Sequence, residues 1–468
     1  MDKNLLVQAI DLHKHGKLEH ADEIYSRLLK ADPSNYQLLC LRGSIAQSLN
    51  QHSRAIDFFQ RADAVVKDNY DVHLELGISY SATGDLLQAN QRYSKAAELR
   101  PASIDPLVNI GNNLTRLKQF QDAFTVYKKC LTLDPSSANL HYNIGTMFLK
   151  SMNPDAAIFW LQKAVELAPN YSSAWNSLGV SYTEIGKLDE ALNAYQKSAS
   201  NDPTFIEPLF NMHAIYVDQN LPNLIFEPLL DAIKIEPNNV MIQFFLAMTY
   251  EYYGHEREAS FLFKSISNKK EIEFQMSSWN YLKSLNRNTG ILVGTNLKTL
   301  EVAIEFAKLN GLVLEFGVYN GKSIKRIAER LSDVVHGFDS FEGIPESWND
   351  EPSGSYSAEG RLPEVPSNVV LHKGWFDEVL PKFVSTYTEP IKLLHIDCDL
   401  YSSTKTIFNH LHRQIVPGTV IVFDEFIGYK SWQQDEFKAF IEASSAYSWK
   451  YELLTFSFVT KQVALIIK

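Results

Sequence analysis

At 468 residues the chain exceeds one ordinary core, so it requires two or three domains or a repeat array. Hydrophobic residues at 45% and charged residues at 21% exclude wholesale disorder. A net charge of -11, with basic residues only single or paired as at Lys128-Lys129 and Lys269-Lys270, excludes nucleic acid and anionic membrane as partners.

The first segment, MDKNLLVQAIDLHKHGK, lacks the apolar stretch of a signal peptide. No run approaches the roughly 18 apolar residues of a membrane span. Cys40, Cys130 and Cys398 are far apart and have neither disulfide-framework nor zinc spacing. A reducing, cytoplasmic setting is expected.

From here to about residue 273 the sequence repeats itself. Pro33, Pro101, Pro135, Pro169, Pro203 and Pro237 are separated by 34 residues or twice 34, with Lys67 in the vacant place. Gly43, Gly77, Gly111, Gly145 and Gly179 keep the same frame, as do Ala21, Ala55, Ala89, Ala123, Ala157, Ala191 and Ala259. Small residues suit the close crossing of two helices in a hairpin, and proline ends the second helix. Tyr80, Tyr93, Tyr127, Tyr182 and Tyr195 supply bulk between them.

These registers resemble the tetratricopeptide family over residues 1–273, about eight units stacked into an all-α solenoid. The last two units depart from the pattern, with His213 and Ala247 in the glycine place and Ile225 in an alanine place. Asn109, Asn143 and Asn211 share one repeat position that in this family can face the groove, where an amide can bond a peptide backbone. The other reading makes them solvated or structural polar residues.

Residues 274–294 read as a linker helix or the start of the next domain. Beyond them short apolar runs alternate with helical segments. The predicted strands are Leu312–Phe316, Val334–Phe338, Val369–His372, Lys392–Ile396 and Thr419–Phe423, an α/β parallel sheet. WKYELLTFSFVTKQVALIIK then predicts a closing antiparallel hairpin. That combination is the Rossmann-like methyltransferase arrangement, and dinucleotide dehydrogenases usually lack the hairpin.

Ligands of such sheets bind at the carboxyl ends of the strands. LVLEFGVYNGKS places Glu315 and Gly317 at the first tip and Gly321 near the start of a helix. Its Gly-x-x-x-Gly spacing is neither the dinucleotide fingerprint nor a Walker loop. Asp339 follows Glu315 by 24 residues, close to the offset at which an acid meets ribose hydroxyls; capping is the alternative for Asp339.

Further on, LLHIDCDLYSSTKT and VIVFDEF bring Asp397 next to Asp424 and Glu425 at neighbouring tips. Converging carboxylates need protons or a cation, and an all-oxygen set suits magnesium. With a substrate hydroxyl acidified by that ion, Asp397 accepts its proton. Asp399 is expected to N-cap the helix of DLYSST. His395 reads equally as a buried core residue. The stretch from Ser340 to Pro366, with Trp348 and Tyr356, reads as a lid or a surface loop. Trp375 reads as an adenine flank or as core packing.

Together LEFGVYNGKS, HGFDSFEGIPESW, HKGWFDEVLP, LHIDCDLYSSTKT and PGTVIVFDEFIGY resemble the macrocin O-methyltransferase family over residues 295–468. The resemblance implies a class I fold, S-adenosylmethionine as cofactor and magnesium held by three acids, matched here by Asp397, Asp424 and Glu425. The family commonly has two Asp after the fifth strand, whereas this chain has Asp-Glu. The cofactor contacts expected on this basis are Glu315, Gly317, Gly321, Ser323, Asp339, Ser340 and Trp375.

The expected activity is magnesium-assisted methyl transfer to a hydroxyl of a sugar or related polyhydroxylated acceptor, small molecule or glycan. In a second reading the repeat groove selects a protein, glycopeptide or carrier-bound acceptor. In a third the chain is a repeat scaffold with a spent catalytic domain. A flavin or nicotinamide enzyme is disfavoured by the glycine spacing and the hairpin.

Overall fold

The structure is a computed structural model that describes residues 2–285 and 290–468. It forms two compact units, Met1–Ser181 and Tyr182–Lys468.

In the first unit the helices pair as successive hairpins, from Lys3–Lys14 with Leu18–Ala31 to Ala138–Lys150 with Pro154–Leu167. The glycine register has a direct steric cause. A β-carbon on Gly77 would lie 2.4 Å from the Tyr93 ring, on Gly111 2.4 Å from Tyr127, and on Gly145 2.5 Å from Leu161. Each glycine therefore faces the bulky residue 16 positions later, and the two helices close on it.

The second unit begins with the remaining hairpins, the last being Val240–Tyr252 with Glu256–Ile266. The irregular unit explains itself locally. His213, in the glycine place, is buried and its Nδ1 lies 2.8 Å from the carbonyl of Ile225, in the alanine place. The ring is thus satisfied by backbone of the partner segment. The partner helix Glu227–Ile235 starts late, with Pro228 in its first turn.

These hairpins share a core with everything that follows. Tyr216, Phe244, Trp279, Leu282, Phe456 and Phe458 belong to one buried cluster. Trp279 lies on the helix Glu273–Leu285, where its Nε1 donates to Glu251 at 2.6 Å. Of the stretch expected as linker or domain start, 274–294, residues 286–289 lie outside the described residues. The rest is that helix and a short strand.

The strands are β1 Ile291–Leu292, β2 Leu312–Phe316, β3 Val335–Asp339, β4 Val369–Lys373, β5 Ile391–Ile396, β6 Val420–Phe423, β7 Tyr451–Phe456 and β8 Val463–Ile467. Their order is β1-β7-β8-β6-β5-β2-β3-β4. β2 to β6 run parallel, and β8 lies antiparallel between β6 and β7, which is the predicted closing hairpin. β1, which the sequence did not announce, adds parallel to β7. From β2 the chain winds outward through β3 and β4, then returns to β5 on the other side of β2. That reversal opens a crevice at the carboxyl ends of β2 and β5.

Candidate active site

Register places the chemistry at the crevice. Glu315 on β2 pairs with His395 on β5, and the tips are pinned by backbone bonds from Asp397 to Phe316 (2.8 Å) and from Asp424 to Ile396 (3.0 Å). Gly317 has φ +90°, and a β-carbon there would lie 1.7 Å from the Asp397 carbonyl oxygen. Glycine is required for the two strand ends to pass each other. Tyr319 and Gly321 also take left-handed φ, so the loop after β2 coils tightly before the helix Lys322–Arg330.

His395, Asp397 and Asp424 each bring one ligand atom within 4.8 Å of the others. Burial disfavours the charged form of Asp397, and the charges of Asp424, Asp399, Glu315 and Glu436 add to it, so its pKa stands well above the usual range. At His395 burial opposes protonation, but the hydrogen bond and charge of Glu315 and the charge of Asp424 prevail and raise its pKa.

Glu425 stands apart from this group. Its Oε1 pairs with Lys461 at 3.2 Å, and burial pushes its pKa up to about 7 against the pull of that lysine. Asp424 accepts from the amide of Gln462. Among the described residues the atoms that converge belong to His395, Asp397 and Asp424; Glu425, the third acid expected from sequence, gives Oε1 to Lys461 of the β7–β8 turn and keeps Oε2 buried without a hydrogen-bond partner.

Glu315 is fully buried and turns away from the crevice: Oε1 accepts from Ser323 at 3.0 Å and Oε2 meets His395 Nδ1 at 3.0 Å. Glu315 and Ser323, expected as cofactor contacts, thus brace the loop from beneath. Asp339 accepts from the amides of Val318 (2.8 Å), Tyr319 (2.7 Å) and Phe341 (2.6 Å), which ties the ends of β2 and β3 together. Oδ1 carries only the Phe341 bond and keeps acceptor capacity. Ser340 is buried and accepts from the Glu342 amide. Trp375 is 37% exposed where β4 gives way to the helix Phe376–Thr386.

Asp399 does not cap its helix. Leu400 holds the cap position without a side-chain bond, and Asp399 sits at φ +63°. Burial and the charge of Asp424 push Asp399 up to about 7. The amides of Cys398 and Asp399 donate instead to Glu436, a fully buried carboxylate on the helix Glu436–Ala446. Glu436 gave no local signal in the sequence, because only the tertiary fold brings it to the strand tip.

A family model described as a methyltransferase domain matches residues 314–426. Tetratricopeptide-repeat models match 6–71, 104–137, 138–171 and 160–193. The chain is a tetratricopeptide-repeat protein with a C-terminal methyltransferase domain. No curated protein gives a significant match.

Among solved structures, the chain is similar to the APC/C hetero-tetramer Cut9-Hcn1 (19% identity, TM-score 0.41, 52% of this chain and 48% of that one). It spans about half of that chain's length. It is also similar to a tetratricopeptide repeat protein from Parabacteroides merdae (17%, TM-score 0.45, 52% and 96%). A third likeness is to YrrB, titled a TPR protein with an unusual peptide-binding site (26%, TM-score 0.32, 39% and 95%).

In the methyltransferase domain the Ser340–Pro366 stretch runs along the crevice edge. Ser431 donates to Asn349 at 2.9 Å, the Trp348 ring meets Tyr429 edge-on at 6.1 Å, and Pro363 packs against Gly321. Burial, with the charges of Glu351, Asp399, Glu425 and Asp397, raises the pKa of Tyr356, so this tyrosine faces the acidic tips. The domain's sheet order, with its reversed β8, is the methyltransferase one. Among the described residues no helix is long and apolar enough to cross a membrane.

Proposed function

We propose that the protein transfers a methyl group from S-adenosylmethionine to a hydroxyl of a sugar or related polyhydroxylated acceptor, assisted by a divalent cation. The observation that carries this is the convergence of Asp397, Asp424 and His395 at the sheet's reversal point, beside the loop Gly317–Gly321.

The residues fit a cofactor of this kind. The left-handed loop brings backbone close to the crevice, and Asp339 Oδ1 is left with capacity for a ribose hydroxyl. In this reading Gly317, Gly321, Ser340 and Trp375 supply the remaining cofactor contacts. When bound, S-adenosylmethionine supplies an electrophilic methyl on a sulfonium.

They also fit a cation, since His395 Nε2 is buried without a hydrogen-bond partner next to two carboxylates. When bound, such an ion supplies Lewis-acid polarisation of the acceptor oxygen, which magnesium provides on the family resemblance. Asp397, as its carboxylate, would take up the hydroxyl proton as the O–C bond to the methyl group forms and the C–S bond of the sulfonium breaks. Tyr356 and Trp348 cover the acceptor and exclude water.

A second reading, in which the repeats choose a protein, glycopeptide or carrier-bound acceptor, is supported by a pocket of about 540 Å³ in the first unit. Leu6, Ile10, Tyr36, Leu41 and Phe59 line it with Asp71 and Glu75. Asn109 and Asn143 serve as further groove contacts of the first unit in that reading. The free cysteines Cys40, Cys130 and Cys398 suit a reducing, cytoplasmic setting.

Calorimetric titration with S-adenosylhomocysteine, with NAD as control, tests the proposal. Binding of the homocysteine product alone supports it. Absence of binding, with and without a divalent cation, defeats it and leaves a repeat scaffold.

A further inference from the structure

We infer that His395 is a metal ligand, and that with Asp397 and Asp424 it makes a mixed nitrogen–oxygen site selecting a divalent transition ion over magnesium. His395 is 1% exposed, on the strand that ends in Asp397. One ring nitrogen is committed, Nδ1 to Glu315 Oε2 at 3.0 Å, and Glu315 is itself held by Ser323. The other, Nε2, has no partner among the described residues. An unmet buried polar atom is costly, so its retention beside two carboxylates calls for a ligand.

The Glu315–His395 pair has the form that orients metal-bound histidines: a carboxylate fixes the proton on one nitrogen and presents the other's lone pair. The third acid, Glu425, lies outside the converging group; Lys461 takes its Oε1 and its Oε2 is buried without a hydrogen-bond partner. Gln462 engages one oxygen of Asp424 and leaves the other. Magnesium prefers an all-oxygen octahedron, whereas an imidazole suits transition ions such as iron, nickel and zinc, for which paramagnetic manganese(II) serves as the probe. Ion binding here is independent of methyl transfer. Only the ion's part in turnover rests on the function proposed above.

The test uses full-length protein stripped with a chelator and titrated with manganese(II), followed by electron paramagnetic resonance. Loss of the free-ion signal at one ion per chain is expected, with nitrogen modulation in the pulsed spectrum, persisting in a large excess of magnesium. Glu315→Gln should weaken manganese about ten- to hundredfold with the histidine still present. His395→Asn should remove the nitrogen modulation.

Manganese bound without nitrogen modulation, or displaced by equimolar magnesium, overturns the inference in favour of an oxygen-only site. Absence of manganese binding alongside normal S-adenosylhomocysteine binding overturns it and leaves the methyl-transfer reading intact. Nitrogen-coupled manganese without S-adenosylhomocysteine binding upholds it and overturns that reading.

Discussion

Asp218, at the end of a repeat helix, accepts hydrogen bonds from the Gly294 amide and the Thr295 hydroxyl, each at 2.6 Å. Thr295 in turn caps the helix Asn296–Phe306. Around this contact a β-carbon on Gly294 would lie 2.0 Å from the Ala214 carbonyl. A fragment starting near residue 290 would expose Leu292, Phe456 and Phe458, whose partners include Phe244 and Trp279. Each such side chain contributes roughly 1.5–3 kcal/mol by its burial. The expected result is that residues 290–468 aggregate, whereas 182–468 gives a soluble, cooperatively unfolding protein; calorimetry of both fragments decides it.

Gly317→Ala brings a β-carbon against the Asp397 backbone in a left-handed conformation. Strain and overpacking together should cost about 2–5 kcal/mol. Because the backbone under Asp397 must move, turnover should fall further than the folded fraction does. Equal losses in urea titration and in rate would mean that Asp397 keeps its place.

Asp397→Asn removes the proton acceptor and keeps the side-chain shape. Turnover should drop by about 10²–10⁴ while S-adenosylhomocysteine affinity stays near that of the parent. Asp339→Asn should do the reverse at the binding step, since the three-amide tie that shapes the cofactor loop is weakened. Similar damage by both variants in both assays would dissolve the division of roles.

Stability of the second unit should respond to acid through His213. Burial holds its folded pKa at about 4, below the ordinary 6.5, so the unfolded chain takes up the proton first. Its contribution is fully present above pH 6.5 and is lost as pH falls toward 4, on the order of 3 kcal/mol in all. Asp218 works the other way. Burial raises it to about 6 from 3.8, so its effect favours the folded state at low pH and fades as pH rises through 6. His213→Gln should abolish the acid-side loss and leave the opposite slope of Asp218. Urea unfolding between pH 4 and 7 measures both, and an unaltered acid loss in the variant would place its origin elsewhere.

The repeat registers and the strands of the sheet were legible because they rest on local rules: glycine opposite a bulky residue, proline after a helix, apolar runs before turns. The acidic tips were legible for the same reason, since Asp397 and Asp424 directly follow their strands. What stayed hidden depends on pairings distant in sequence. Glu315 faces a histidine 80 positions away, Glu425 a lysine 36 away and Glu436 the amides after β5. Periodicity continued past residue 181, and only the departures in its last two units hinted that the later hairpins dock on the core of the next domain. His213 and Ile225 depart from the repeat pattern, and the buried His213 ring is held by the backbone carbonyl of residue 225.

That core draws nothing from residues before Leu192. Removing or adding a whole 34-residue step among the first five hairpins therefore takes no side chain from that core.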